Sequence, residues 1–292
     1  DWSWSRGLGD VYKRQPTRLL QTLMSLAPKK CDSSVPTVVL LTPGHLNSAY
    51  YEHTFLSDQM GIEMVEAQDL FVENDFLYMK TVDGPKKIDV VYRRIDDDYL
   101  DPLAYNPNSV IGVPGITHVY KTGGVNICSA PGAGIADDKA VYIYVPEMIK
   151  FYLGETPILD NVQTWRCERD DDLKYVLENI DELVIKEVDG SGGHGMLIGP
   201  KSTKQEIEDF SSKLKLHPEG YIAQPTLDLS SSPTLIDNEI SGRRVDLRPF
   251  CLLGEKVQLC PGGLTRVALG KGSYVVNSSQ GGGVKDTWVL AD

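Results

Sequence analysis

The chain has 292 residues and a formal net charge of −12, a balance that argues against nucleic acid or an anionic membrane surface as the main partner. Its hydrophobic share of 41% suits a globular protein with room for two domains. No run of about 18 apolar residues suggests a transmembrane helix. The start lacks the basic-then-apolar pattern of a signal peptide. Cys31, Cys128, Cys167, Cys251 and Cys260 are odd in number and scattered, without C-x-x-C. A reducing, cytoplasmic setting is therefore expected, with neither a disulfide framework nor structural zinc.

Residues 1–15 lack clear periodicity and change character at Pro16. They read as a foreign leader or a native disordered arm, and the fold is sought beyond them. Residues 17–27 predict a short helix with Leu19, Leu20, Leu23, Met24 and Leu26 on one side. A buried strand at 37–41, a helix over 47–60 with Tyr51, Phe55 and Met60 inward, a stop at Gly61 and a strand at 62–65 form a β-α-β unit. Such a unit predicts a parallel sheet. Strands follow at 69–79 and 87–92, with a turn over 82–85. Arg93, Arg94, Asp96, Asp97 and Asp98 then form a charge cluster, either an ion-paired edge or a ligand-binding strand end. A Pro/Gly-rich loop at 106–115, a helix at 117–122 and a strand at 125–128 complete a first domain, 16–130.

The second domain, 131–292, begins with the turn APGAGIAD and a helix from Asp138, broken at Pro146 and resumed over 147–153. Lys139 in its first turn opposes the helix dipole. It is either solvated there or reaching for a bound phosphate. After a helix at 170–180, an apolar run delivers Lys186 into Asp189-Gly190-Ser191-Gly192-Gly193-His194-Gly195, and Met196–Ile198 returns. This is a strand–turn–strand hairpin. Glycines expose backbone N–H groups to an anion, and a lysine at the loop base adds positive charge. A long hairpin tip would need the glycines but not the lysine. Residues 203–216 predict a helix capped by Ser202 or Thr203, with Glu206 suited to a capping box. A strand at 221–224 ends at Pro225. In GRRVDLRPFCLL, Arg244, Asp246 and Arg248 share one strand face, either an edge laced with ion pairs or a phosphate- and metal-binding surface. Arg266 lies on a further strand, 273–276 predicts another, and 277–286 forms a glycine-rich loop with Lys285 and Asp286 before a strand over 287–290.

Taken together, Asp138-Lys139, VIKEVDGSGGHGM, YIAQP, RRVDLRPF, GGLTRVAL and VVNSSQGGGVKDTWVL closely resemble the circularly permuted type 2 ATP-grasp proteins. LTPGHLNSAYYEHTFLSDQMG and VVYRRIDDDYLDPL resemble the same family, so the resemblance spans residues 16–290. It implies an α/β and α+β architecture, an ATP-grasp fold preceded by a Rossmann-like (pre-ATP-grasp) α/β domain. It further implies ATP and Mg2+ as cofactors. Lys139 and Lys186 would meet phosphates, the 189–195 loop would cover them, and Gln224, Pro225 and Thr226 would lie by adenine. Lys186, Arg248 and Arg266 would be catalytic, with Asp246 a metal ligand. The implied reaction joins a small-molecule or peptide carboxylate to an amine through an acyl phosphate. An impaired nucleotide-binding module and a phosphoryl transferase are the alternatives. Members carry a Glu-Asp-Asn motif upstream of the first strand that is missing here, so an N-terminally truncated member is expected. Substrate identity and oligomeric state are not indicated.

Overall fold

A computed structural model describes residues 10–190, 195–276 and 281–287. They separate into two compact units. The first takes in residues up to Ala133, Leu247–Thr265 and residues from Val284; the second comprises Gly134–Asp246 and Arg266–Gly283.

In the first unit, helix α1 (Asp10–Ser25) precedes β1 (Val38–Leu41), α2 (Tyr50–Met60) and β2 (Glu63–Val65). Helix α1 starts before the expected residue 17 and runs through Pro16, so residues 10–15 belong to a helix. Packing of Leu19, Leu20 and Leu23 on the sheet core outweighs the one backbone donor that Pro16 lacks. Strand β1 is buried at all four positions because both faces of its sheet are covered. Val38 and Leu40 pack with Leu23, Leu56 and Met60. Val39 and Leu41 join Val91, Ile116, Val119 and Ile127 on the other side. On α2 the buried stripe is His53, Leu56, Ser57 and Met60, whereas Tyr51 is exposed, so the inward face starts later than expected. Gly61 ends α2 with φ +66, as its position predicts.

The predicted strand at 69–79 is a hairpin, β3 (Leu70–Glu73) and β4 (Phe76–Thr81), turning at Asn74 and Asp75 with φ of 49° and 63°. Two residues of positive φ are what a tight hairpin turn requires, and Asn and Asp tolerate it. Strands β5 (Gly84–Ile88) and β6 (Val90–Arg93) divide the predicted 87–92 strand between two sheets. Between them, the buried Asp89 carboxylate accepts the Thr37 N–H at 2.9 Å. Short helices α3 (Asp97–Leu100) and α4 (Ile116–Lys121) lead to β7 (Asn126–Cys128). The sheet order β2-β1-β6-β7 is parallel throughout, as the β-α-β pattern predicts, and β3-β4-β5 form a separate antiparallel sheet.

In the second unit no long helix follows Asp138. A 3-10 turn (Ala133–Asp137), another (Tyr142–Tyr144), α5 (Val145–Met148) and a π-helical turn (Ile149–Leu153) replace it. The Asp138 carboxylate accepts the N–H groups of Ala140 and Val141, a local turn that competes with helix. Strands β8 (Trp165–Arg166), β9 (Leu183–Glu187), β10 (Leu197–Ile198) and β11 (Tyr221–Pro225) form an antiparallel sheet ordered β10-β9-β11-β8. One face buries Leu183, Ile185 and Ala223 against Val176 of α6 (Asp170–Glu178) and Leu214 of α7 (Lys204–Leu216). Thr203 caps α7 in a reciprocal box with Glu206, matching the sequence expectation.

A fourth sheet has the order β12-β13-β14-β15, from β12 (Ser231–Ile236), β13 (Glu239–Leu253), β14 (Val257–Val267) and β15 (Gly283–Thr287). Strand β12 was not foreseen, although Asp237-Asn238, with φ of 51° and 64°, repeats the hairpin signal of Asn74-Asp75. Residues 273–276 are irregular, because the Ser273 hydroxyl satisfies Val275 locally. Lys285 and Asp286 stand on β15 rather than in a loop. Residues 277–280 of the predicted loop and 288–290 of the last predicted strand lie outside the described residues.

Candidate functional site

The register of the β9-β11-β8 sheet determines which side chains share its second face. Ile222 pairs with Lys186 on one side and Arg166 on the other, and Gln224 pairs with Val184. Opposed residues and residues two apart point the same way. Lys186, Gln224, Thr164 and Arg166 therefore stand on the face opposite the Ile185–Ala223 core. Lys186 Nζ donates to Gln224 Oε1 at 2.7 Å, and Gln224 Nε2 donates to Thr164 Oγ1 at 2.9 Å.

Lys139 converges on the same place from the turn after Asp137. Its backbone N–H donates to the Val188 carbonyl at 3.1 Å, and its ammonium donates to the carbonyls of Val188 and Gly190. The helix-dipole argument for Lys139 falls, since no α-helix starts there, but the side chain does point at the base of the glycine loop. Burial, followed by the nearby Lys139 charge, lowers the pKa of Lys186 from its ordinary value. Two cations gathered in a half-buried place favour an anion between them.

Of the loop, Asp189, Gly190 and Gly195 are described; Ser191, Gly192, Gly193 and His194 lie outside the described residues. Gly195 has φ +64, and a Cβ there would fall 2.2 Å from Glu187 Cδ. Glycine thus supplies both the backbone conformation and the close approach. At the far end of β11, Thr226 Oγ1 donates to the Glu182 carbonyl at 2.9 Å, while Pro225 pairs with Leu183.

The late arginine strand is laced with ion pairs. Arg266 Nε donates to both Asp246 carboxylate oxygens, at 2.9 and 3.1 Å, and Arg266 NH2 also reaches Oδ2. Arg244 binds Asp228 at 2.8 Å and stacks over the Tyr274 ring at 3.8 Å. Arg248 is exposed and belongs to the first compact unit. Among the described residues no three His, Cys, Asp or Glu side chains gather as metal ligands. Asp246, engaged by Arg266, does not by itself fit a magnesium site. The Arg93–Asp98 cluster resolves into ion pairs as well. Arg93 meets Asp97 at 2.6 Å and donates to the Ser129, Ile95 and Ala130 carbonyls; Arg94 meets Glu52 at 2.7 Å.

The sequence reading passed over Thr164, Arg166 and Tyr144. The Tyr144 hydroxyl accepts from Arg166 and, at 3.0 Å, from Arg169. Strand β8 has only two residues and carries no motif; its register with β11 reveals Arg166, and side-chain hydrogen bonds bring in Thr164 and Tyr144. No described helix is long and apolar enough to cross a membrane.

The Synechocystis sp. PCC 6803 protein sll0335 is 54% identical over 94% of this chain, which spans 57% of that relative's length. A Frankia alni protein bearing the name "Putative glutamate--cysteine ligase 2-3" is 40% identical over 94% of this chain and 32% of its own length. The chain thus spans about half or less of the length of such relatives. Among solved structures, a glutathione synthetase like-effector (GSS30) from Globodera pallida superposes with a TM-score of 0.56 at 11% identity. That match covers 95% of this chain and 61% of GSS30, and it speaks to the fold alone. The sequence profile of the circularly permuted ATP-grasp type 2 proteins matches residues 10–268, and the chain belongs to that family.

Proposed function

We propose that this chain carries the nucleotide-binding core of an ATP-dependent carboxylate–amine ligase. The observation that carries the reading is the convergence of Lys139 and Lys186 at the base of the glycine loop. The residues present fit a polyphosphate: two cations, a loop of small residues, and a neutral amide holding one cation in place. When bound, ATP supplies the γ-phosphoryl group that turns a carboxylate into an acyl phosphate, from which an amine displaces inorganic phosphate. Lys139 and Lys186 offset the charge of that transfer, and Gln224 fixes the Lys186 ammonium. Asp189, Gly190 and Gly195 offer backbone groups from the loop base. Pro225 and Thr226 are proposed beside adenine, and Arg266 on the phosphate side. No step is routed through a protein-held magnesium, since Asp246 is committed to Arg266. The chemistry is that of amino-acid or peptide ligation, in keeping with the name borne by the Frankia relative.

Calorimetric titration with Mg-ATP tests the reading. Lys186→Ala should weaken binding at least tenfold, corresponding to about 1.4 kcal/mol or more. Equal affinity in the two proteins would sink it. A second reading, nucleotide binding without turnover, rests on the Asp246–Arg266 pairing. ADP released in step with an amide product would rule that out.

A further inference from the structure

The amide of Gln224 can be oriented from its neighbours. Thr164 is nearly buried, and its hydroxyl donates to the Val162 carbonyl at 2.9 Å. A hydroxyl has one proton. Once it is given to Val162, Thr164 Oγ1 faces Gln224 only as an acceptor. The Gln224 NH2 must therefore lie towards Thr164, 2.9 Å away, and its carbonyl towards Lys186, 2.7 Å away. The reverse orientation would set an NH2 group against an ammonium. Lys186 lies on β9 and Gln224 on the adjacent β11, and Thr164 immediately precedes β8, which pairs with the other side of β11.

We infer that Thr164 is a positioning residue for Lys186, acting through Gln224, and that this relay aims the ammonium at the polyphosphate of a nucleoside triphosphate. The inference rests on the nucleotide reading for its ligand, but the relay itself exists without one. Thr164 touches no reacting atom. Its effect is to keep one amide from turning. Thr164→Val keeps the shape and removes the hydroxyl. The amide then loses its anchor, and a turned amide repels the ammonium, which burial and, after it, the Lys139 charge already disfavour. Lys186 should consequently become a freer amine.

Two readouts separate the relay from the nucleotide reading. The first is acylation of Lys186 by acetic anhydride between pH 7 and 10, quantified by mass spectrometry of the peptide bearing it. The second is Mg-ATP affinity by calorimetry. Thr164→Val should label several-fold faster than wild type at a given pH and bind Mg-ATP about tenfold more weakly. Thr164→Ser should restore both within twofold. A merely structural role would lower the thermal midpoint while leaving Lys186 labelling unmoved, and that result overturns the inference. So does wild-type behaviour of Thr164→Val in both readouts while Lys186→Ala loses Mg-ATP affinity. A labelling shift in a protein that never binds Mg-ATP would keep the relay and discard its ligand. Should the valine variant not fold, Thr164→Ala gives the same two readouts.

Discussion

Buried against Thr42, with Oγ1 and Nδ1 2.9 Å apart, His53 is a histidine kept neutral. Burial, then the charge of Arg94, brings its pKa from 6.5 to about 4. Between those values the unfolded chain binds a proton that the folded chain refuses. Its contribution is thus complete above pH 6.5 and is lost as pH falls towards 4, by roughly 3 kcal/mol across the window. Urea unfolding at pH 7.5 and 4.5 should show that loss, and His53→Gln should flatten the difference between the two pH values. At Gly195 the argument is steric. Gly195→Ala must hold φ +64 and displace the Glu187 carboxylate, a cost of about 1 kcal/mol or more in urea unfolding. The sequence marks both residues, one as a histidine and one as a loop glycine, but neither burial nor the Glu187 approach can be read from it.

Among the elements, α7 and β9 are the most legible. Thr203 and Glu206 bond reciprocally at the start of α7, so Thr203→Ala should cost about 1 kcal/mol of stability. Strand β9 places Ile185 in the core and Lys186 on the opposite face by simple alternation. Ile185→Ala should therefore cost about 2–5 kcal/mol in urea unfolding, because it opens a cavity among Leu183, Leu197 and Ala223. Elements went unread where local side-chain bonding overrides pattern. Asp138 turns a predicted helix into a tight bend, and Ser273 satisfies Val275 and removes a predicted strand. The Asn74-Asp75 turn divides one predicted strand into two, while Asp89 parts β5 from β6 between separate sheets. Each of these residues bonds backbone groups or adopts a positive φ, choices that hydrophobic periodicity does not register.

For the whole molecule, ligand linkage offers the broadest test. If the folded chain alone binds Mg-ATP, then nucleotide at a hundredfold excess over its Kd should add about 2.7 kcal/mol of stability and raise Tm. An unchanged Tm at that concentration would count against a nucleotide site in this chain. The ion pairs of the second unit work in the other direction. Exposed pairs such as Arg244–Asp228 contribute up to about 1 kcal/mol each, so high salt should alter stability little.

By itself the sequence determined the family, the parallel arrangement of the first sheet, the glycine hairpin with its lysine, and the capped helix after it. These depend on local periodicity, on turn and cap chemistry, and on motifs that keep their order along the chain. Tertiary structure decided the rest. It set the carbonyls that Lys139 meets, paired Asp246 with Arg266 and Arg94 with Glu52, and brought Thr164 behind Gln224. The Thr164–Gln224 and Asp246–Arg266 contacts join residues 60 and 20 positions apart, held side by side by neighbouring strands. Register is fixed by burying one face of a sheet, an energy no single segment possesses.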